Sequence, residues 1–188
     1  MIVIAMVALL LTFTVSGTIA WLAASTDEVV NTFTPGKVKT DIDEEIENGV
    51  KTKIVIRNEK EPNSTVPVFV RVSVSGYYVK DTKDSSGTVT GQVIVEQWNG
   101  LADTQINAPD WFKGADGFYY YTKSIKPGES TSNLLKSGVD LTQRTDGTYL
   151  VVNVIHQSIQ YKPETAVESV WPVEATVSNG SGTITATN

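Results

Sequence analysis

Apolar and polar residues alternate with a period of two in several parts of this sequence. Between Val68 and Ser75, valine occupies every even position, while polar residues and Phe69 occupy the odd positions. Successive side chains of a β-strand point to opposite faces, so this pattern predicts a strand with one apolar face. The segment 50–57 alternates in the same way and predicts another strand, and a polar turn that contains Pro62 separates the two.

Strand-like segments continue through the rest of the chain and are separated by turn residues, with Gly and Pro among them. Two short segments, 131–137 and 164–171, have helical spacing and are predicted to be brief helical connectors. Many short strands without a long helical period predict an all-β fold, a jelly-roll-like antiparallel β-sandwich. The further predicted strands span 89–98, 117–123, 148–160 and 175–187.

The N-terminal part of the chain is apolar and uncharged, and the first charged side chain is Asp27. Residues 1–15 are apolar apart from two threonines, and the small residues Thr18 and Ala20 stand three positions and one position before Trp21. An apolar run followed by small residues at these positions is typical of a secretory signal peptide. We therefore predict cleavage between Ala20 and Trp21.

The domain organisation follows from this cleavage site. Residues 1–20 are the signal peptide, and 21–188 form a single β-sandwich domain, for which the length of the chain is sufficient. In signal peptides a Lys or Arg usually precedes the apolar run, but this sequence has none there. Retention of 1–20 as a hydrophobic anchor helix therefore stays open as the alternative.

The charge of the chain excludes one class of function. The sequence has 15 Lys and Arg against 21 Asp and Glu, which gives a net charge of −6, and it has no basic cluster. Binding to DNA or RNA depends on clustered basic residues, so we expect no nucleic-acid partner. The chain also contains no Cys, so its stability must come from an apolar core and not from disulfides.

The sequence offers few residues for catalysis or metal binding. His156 is the single histidine, and no HExxH, GxSxG or GxxxxGK motif occurs. We therefore predict a protein that is not an enzyme and has no cofactor and no metal, with His156 a strand histidine at the rim of the core. The acidic run 41–47 lacks the spacing and the Gly of a calcium loop, and we expect a solvated strand end or turn there.

Two surface features are candidates for modification or ligand binding. Asn63 and Asn179 begin N-x-Ser/Thr sequons in loop-like sequence and are candidate glycosylation acceptors. The aromatic residues Trp98, Trp111 and Phe112 and the run 118–121 suggest a surface on which a carbohydrate could stack. Alternation in a strand sends half of the rings of 118–121 to each face, so we expect at least half of them in the core.

The order of several short segments along the chain carries a family resemblance. Over residues 15–172 the chain resembles the TasA/camelysin family of exported fibre proteins, which are processed by a SipW-type signal peptidase. One departure from the family pattern is His156, where relatives often carry an acidic residue or Ala. The segments that carry the resemblance are 17–22 (GTIAWL), 26–38 (TDEVVNTFTPGKV), 55–58 (VIRN), 66–72 (VPVFVRV), 116–121 (DGFYYY), 125–131 (IKPGEST) and 154–160 (VIHQSIQ).

The resemblance implies a structural function outside the cell. It implies a jelly-roll sandwich that serves as the subunit of a biofilm matrix fibre or a bundling pilus. Members assemble by donor-strand complementation, in which the N-terminal segment of one subunit completes a sheet of its neighbour. The implied partners are further copies of this chain and a signal peptidase, and contact with a membrane is confined to the N-terminal segment before cleavage.

Residues 21–38 have the composition that such a donor strand requires, and we call them the donor segment. A donor needs an extended backbone and apolar side chains that fill pockets on its acceptor. Here the apolar residues are set among Thr and Asn, which strands tolerate. The alternative is that the segment is the first strand of its own sheet. The predicted assembly residues are Trp21, Leu22, Val29, Val30 and Phe33.

Two other functions compete with the fibre subunit. One is a surface adhesion module that keeps residues 1–20 as an anchor or, like a pilin, packs them in a filament core. The other is a secreted metalloprotease of the camelysin type, which a chain with a single histidine supports poorly.

Overall fold

The computed structural model describes residues 36–187. Within this range the chain forms ten strands, one α-helix and a 3₁₀ turn at Asp103–Gln105, and all strand pairs are antiparallel, which confirms the all-β prediction. The elements are β1 (Thr40–Glu47), β2 (Val50–Asn58), β3 (Val68–Lys83), β4 (Val89–Gln97), β5 (Trp111–Lys113), β6 (Tyr119–Tyr121), β7 (Val139–Asp140), β8 (Thr148–Gln160), α1 (Glu164–Val170), β9 (Val173–Ser178) and β10 (Ser181–Ala186).

The strands form two main sheets and a hairpin. The small sheet has the order β1-β2-β7, and a register shift lies between Glu45 and Ile46. The large sheet is built on β3, which pairs with β8 along residues 68–80 on one side. On its other side β3 pairs with β6 and β4, and β5 lies beyond β6. β9 and β10 form the hairpin.

The main core lies between the small sheet and the large sheet. Ile54 and Ile56 of β2 are fully buried against the even-numbered valines of β3, as the alternation predicts. The strands that follow add two large aromatic rings, Trp111 and Tyr119, to this core. Burial of these apolar surfaces is the main stabilising contribution to the fold.

A second core lies on the opposite face of the large sheet. Phe69 is fully buried there although it lies on the predicted polar face of β3, because α1 and the β9–β10 hairpin cover this end of the sheet. The large sheet is therefore covered on both faces at one end. The buried members of the second core are Phe69, Tyr120, Val167, Trp171, Val173 and Ile184.

The helix prediction for 131–137 is wrong. The segment is extended and lies beside β2, where Thr131 and Leu134 donate their N–H groups to the carbonyls of Ile56 and Ile54, each at 2.9 Å. Helix nucleation in so short a segment is unfavourable. Hydrogen bonds to β2 satisfy the backbone of the segment instead. The connector at 164–171 is confirmed, since α1 spans Glu164–Val170.

The predicted last strand is a hairpin in the structure. The segment 175–187 lies in β9 and β10, and the chain reverses at Asn179 and Gly180, whose φ angles are 49° and 79°. Two consecutive positive φ angles with the sequence Asn-Gly are typical of a type I′ hairpin turn. Of the helices in the described range, none has the length and apolarity needed to cross a membrane.

Candidate assembly surface

The end of the donor segment is anchored on the domain. Lys37 donates its N–H to Thr65 Oγ1 at 3.0 Å and accepts the N–H of Thr65 at 3.0 Å, while Glu59 donates to the carbonyl of Lys39 at 2.9 Å. A Cβ on Gly36 would lie 2.4 Å from Val66 Cγ1, so the two segments are in close contact. Residues 36–39 therefore hold to the loop between β2 and β3 of their own chain.

The other predicted assembly and processing residues lie outside the described range. These are the cleavage pair Ala20 and Trp21 and the assembly residues Leu22, Val29, Val30 and Phe33. The structure thus fixes the point from which the donor segment leaves the domain, which is Gly36.

One side of the sandwich is bordered by two strands that each have a single partner in the described range. These are β1 of the small sheet and β8 of the large sheet. Thr40 Oγ1 lies 3.1 Å from His156 Nε2 and 2.9 Å from Ser158 Oγ, so β1 begins directly beside β8. Ile42, Val152 and Val154 are half-buried against the main core on the same two strands. We call this region the open side.

The two strands of the open side differ in charge. β1 carries five carboxylates in eight residues, whereas β8 contains no Asp, Glu, Lys or Arg in thirteen. β8 also exposes Ile155, of which 61% is accessible to solvent. Charged side chains on an outer strand discourage pairing with another strand, so β8 is the more favourable acceptor of the two.

The carboxylates of β1 are partly compensated by basic residues of β2. Lys53 Nζ lies 2.7 Å from Asp43 Oδ2, and the hydrogen bond that Lys53 donates to this carboxylate raises the pKa of Lys53. Arg57 lies 3.7 Å from Asp41. Within residues 36–187 no group of three or more metal-ligating side chains comes together. The acidic run 41–47 was expected at a strand end or turn, but it lies within β1 and fills that strand apart from Thr40.

A shallow groove of about 400 Å³ lies along the small sheet. Its walls are mostly polar, and the ion pairs of Asp41 and Asp43 with β2 belong to it. Carboxylates that are already paired with basic residues have less charge to offer a ligand, so the groove is a poor binding site for a cation. The lining residues are Asp41, Ile42, Asp43, Glu44, Val55, Arg57 and Ser130.

One ion pair of β1 joins an exposed carboxylate to a buried ammonium group. Lys51 Nζ lies 2.6 Å from Glu44 Oε1, and only 6% of the Lys51 side chain is exposed. A buried ammonium group needs such a partner, because desolvation of an unpaired charge is costly.

The two sequons lie on the surface, and His156 is half-buried beside Thr40. Asn63 is exposed in the loop before β3, and Asn179 is exposed at the β9–β10 turn. Thr65, the third residue of the first sequon, accepts the N–H of Lys37. Both asparagines are exposed, as a glycosylation acceptor must be, and the Thr65 hydroxyl oxygen already accepts one hydrogen bond.

The aromatic run does not form a stacking surface. Tyr119, Tyr120 and Tyr121 are all buried. Tyr120 donates to Asp116 at 2.6 Å and accepts from Arg71 at 2.9 Å. Burial and the hydrogen bond to Asp116 raise the pKa of Tyr120 to about 12. Arg71, 4.0 Å from the ring of Phe118, also pairs with Asp116 at 2.9 Å, so the cluster is internally satisfied.

The full exposure of β4 was not predicted. All nine of its residues are exposed, because the β3–β4 hairpin extends beyond the part of the large sheet that the other layers cover. The signal available in the sequence was the absence of alternation at Val93-Ile94-Val95 next to a short polar turn.

Comparison with known proteins adds no identification. No family model, no curated protein and no solved structure matches this chain.

Proposed function

We propose that this protein is the structural subunit of an extracellular filament, such as a biofilm matrix fibre or a bundling pilus. In this proposal residues 1–20 are removed on export, and the sandwich has jelly-roll topology. The remaining donor segment, residues 21–35, pairs with β8 of a neighbouring copy. The observation that carries the proposal is the open side, where an uncharged strand with one partner in the described range borders half-buried residues of the main core.

The charge of the donor segment favours β8 over β1 as its acceptor. The part of the segment that would pair, residues 21–35, carries two carboxylates, Asp27 and Glu28, and no basic residue. Pairing with β1 would oppose them to a strand with five carboxylates, and like charges that face each other across strands are destabilising. β8 presents no charge, so only its apolar and small polar side chains would meet the donor.

The side chains of the open side also suit a donor. Val152 and Val154 are half-buried, so an added strand would cover the rest of their apolar surface. The donor offers matching apolar residues in Leu22, Val29 and Phe33. Backbone bonds along the free side of β8 would supply affinity, and these side chains would supply specificity.

A deletion tests the proposal directly. Removal of residues 21–34 from the full-length chain should leave a soluble monomer after export. The preparation should contain no fibres in negative-stain electron micrographs, whereas the unmodified protein should form them. Fibres that persist in the deletion variant would contradict the proposal.

A matched pair of substitutions controls for the change in length. Val29→Lys and Thr26→Lys add the same charge to the donor segment, but only the first removes an apolar side chain that would face the acceptor, because alternation places positions 26 and 29 on opposite faces of a strand. We expect Val29→Lys to abolish fibres and Thr26→Lys to retain them. N-terminal sequencing provides a separate test. We expect the exported chain to begin at Trp21, and a chain that retains Met1 would support the anchored adhesion module instead.

A further inference from the structure

β4 is an exposed strand with a free outer edge. In the described range it pairs only with β3, and its exposed residues include four β-branched aliphatic side chains, Val89, Val93, Ile94 and Val95. It contains no Pro and one charged residue, Glu96, which lies 3.7 Å from Arg144. An exposed apolar edge strand without uncompensated charge is a template for pairing with another strand.

The β3–β4 hairpin is held in place by its own contacts. At its turn, Asp84 Oδ1 accepts the N–H groups of Ser86 and Thr88, both at 2.9 Å, and the Ser86 hydroxyl at 2.6 Å. Beside the end of β8, Tyr149 donates to Asp81 of the hairpin at 2.9 Å. A preorganised strand loses little conformational entropy on association, so the edge is ready to pair without rearrangement.

We propose that β4 is a homotypic interface, in which the β4 strands of two copies pair antiparallel about a two-fold axis centred on Val93. The large sheets of the two copies then become one continuous sheet. This contact is separate from the donor segment and β8, so it would join two subunits, or two filaments, side by side.

The composition of β4 fits a second copy of itself. A two-fold axis brings the same patch of both copies together, so the patch must tolerate its own charges. With Val93 opposite Val93, Glu96 lies opposite Thr90, and Val95 lies opposite Gly91. No like charges meet, although each copy carries a net charge of −6.

The donor segment is a less suitable occupant of this edge. It brings Asp27 and Glu28, and β4 offers no basic residue to face them. A single strand pair buries a small area, so we expect a weak and reversible contact that becomes effective when many copies are aligned.

Cysteine cross-linking tests the pairing, because the natural chain has no Cys. Directly opposed residues of antiparallel strands have Cα atoms about 4.5–5.5 Å apart, within the range that a disulfide spans. The full-length chain with Val93→Cys should form a disulfide-linked dimer under mild oxidation, seen on a non-reducing gel. We expect this dimer to form at least ~10 times faster than the dimer of the Ile46→Cys control.

The control position is at least as exposed as the test position. Ile46 on β1 is 58% exposed and Val93 on β4 is 47% exposed, so slower cross-linking of the control cannot come from burial of its thiol. Adding Ile94→Lys to the Val93→Cys chain should suppress the dimer, and adding Ile46→Lys should not. Equal cross-linking of Val93→Cys and Ile46→Cys would overturn the proposal.

A mixed experiment tests the competing occupant. When the Val93→Cys chain is oxidised together with a Val30→Cys chain, we expect Val93 homodimers to dominate. A product that joins position 93 only to position 30 would assign β4 to the donor segment and overturn the homotypic interface. Because Val93→Cys leaves the donor segment and β8 intact, fibres should still form, so the two proposals can fail separately.

Discussion

β1 and β4 are both outer strands, yet they present opposite surfaces to solvent. β1 carries five carboxylates in eight residues, whereas β4 carries one in nine. Each exposes an isoleucine to nearly the same extent, 58% for Ile46 and 59% for Ile94. These two isoleucines are equally exposed, but β4 exposes three further aliphatic side chains, Val89, Val93 and Val95, and the two strands differ most in charge. A charged edge resists pairing with other strands, and an uncharged one invites it.

The two strands also differ in what lies behind them. β1 covers part of the main core, with Ile42 half-buried on it and Ile56 fully buried on the neighbouring strand. All nine residues of β4 are exposed. The charged edge strand therefore lies over the main core, whereas the uncharged one leaves all of its residues exposed.

The largest expected difference concerns stability. Ile56→Ala, behind β1, should lower the free energy of unfolding by about 2–5 kcal/mol, because it leaves a cavity in the main core. Val93→Ala on β4 should change it by no more than about 0.5 kcal/mol. Urea denaturation followed by tryptophan fluorescence measures both. Equal destabilisation by the two substitutions would remove the distinction between the strands.

A smaller difference in stability is expected between a β1 carboxylate that is paired with a buried base and one that has no ion pair in the described range. Glu44→Ala should cost about 1–3 kcal/mol, because it leaves the buried ammonium group of Lys51 without its partner. Glu45→Ala removes the same charge but breaks no ion pair in the described part of the chain, and should cost no more than about 0.5 kcal/mol. Denaturation curves of the two variants provide the check, and similar losses would argue against a special role for Glu44.

The smallest effect is a pH dependence at the tip of β4. Hydrogen bonds from Ser86 and Thr88 hold the pKa of Asp84 below its ordinary value of 3.8. A lowered pKa means that the carboxylate stabilises the turn above the ordinary value and loses this effect as the pH falls through the lowered one. NMR titration should show the amide signals of Ser86 and Thr88 moving in that range. The Asp84→Asn chain should lack this step, and an ordinary pKa would contradict the expectation.

Much of the fold was accessible from local patterns. β2 and β8 match the predicted strands 50–57 and 148–160 almost to the residue. The reason is that the alternation typical of a half-buried strand depends only on consecutive residues. The helix at 164–171 was equally local, since its buried face depends on spacing within one segment.

The errors arose where distant segments decide the structure. The segment 131–137 is extended because the backbone of β2 offers it partners, and these lie about 75 residues earlier in the chain. Burial of Phe69 depends on β9 and β10, which come at the end of the sequence. The candidate site shows the same limit: the apolar donor residues were visible as composition, whereas the open side exists only once β1 and β8 are placed together.

The paired hydrogen bonds between Lys37 and Thr65 have a mechanical consequence. A pulling force applied through the residues before Gly36 reaches this contact before it reaches β1. The two bonds join the same two residues, so they share the load and give way together. Residues 36–39 could then peel away while the β1–β2 ladder stays intact. Release of residues 36–39 would lengthen the domain slightly under tension, and the two Lys37–Thr65 bonds would form again when the tension is released.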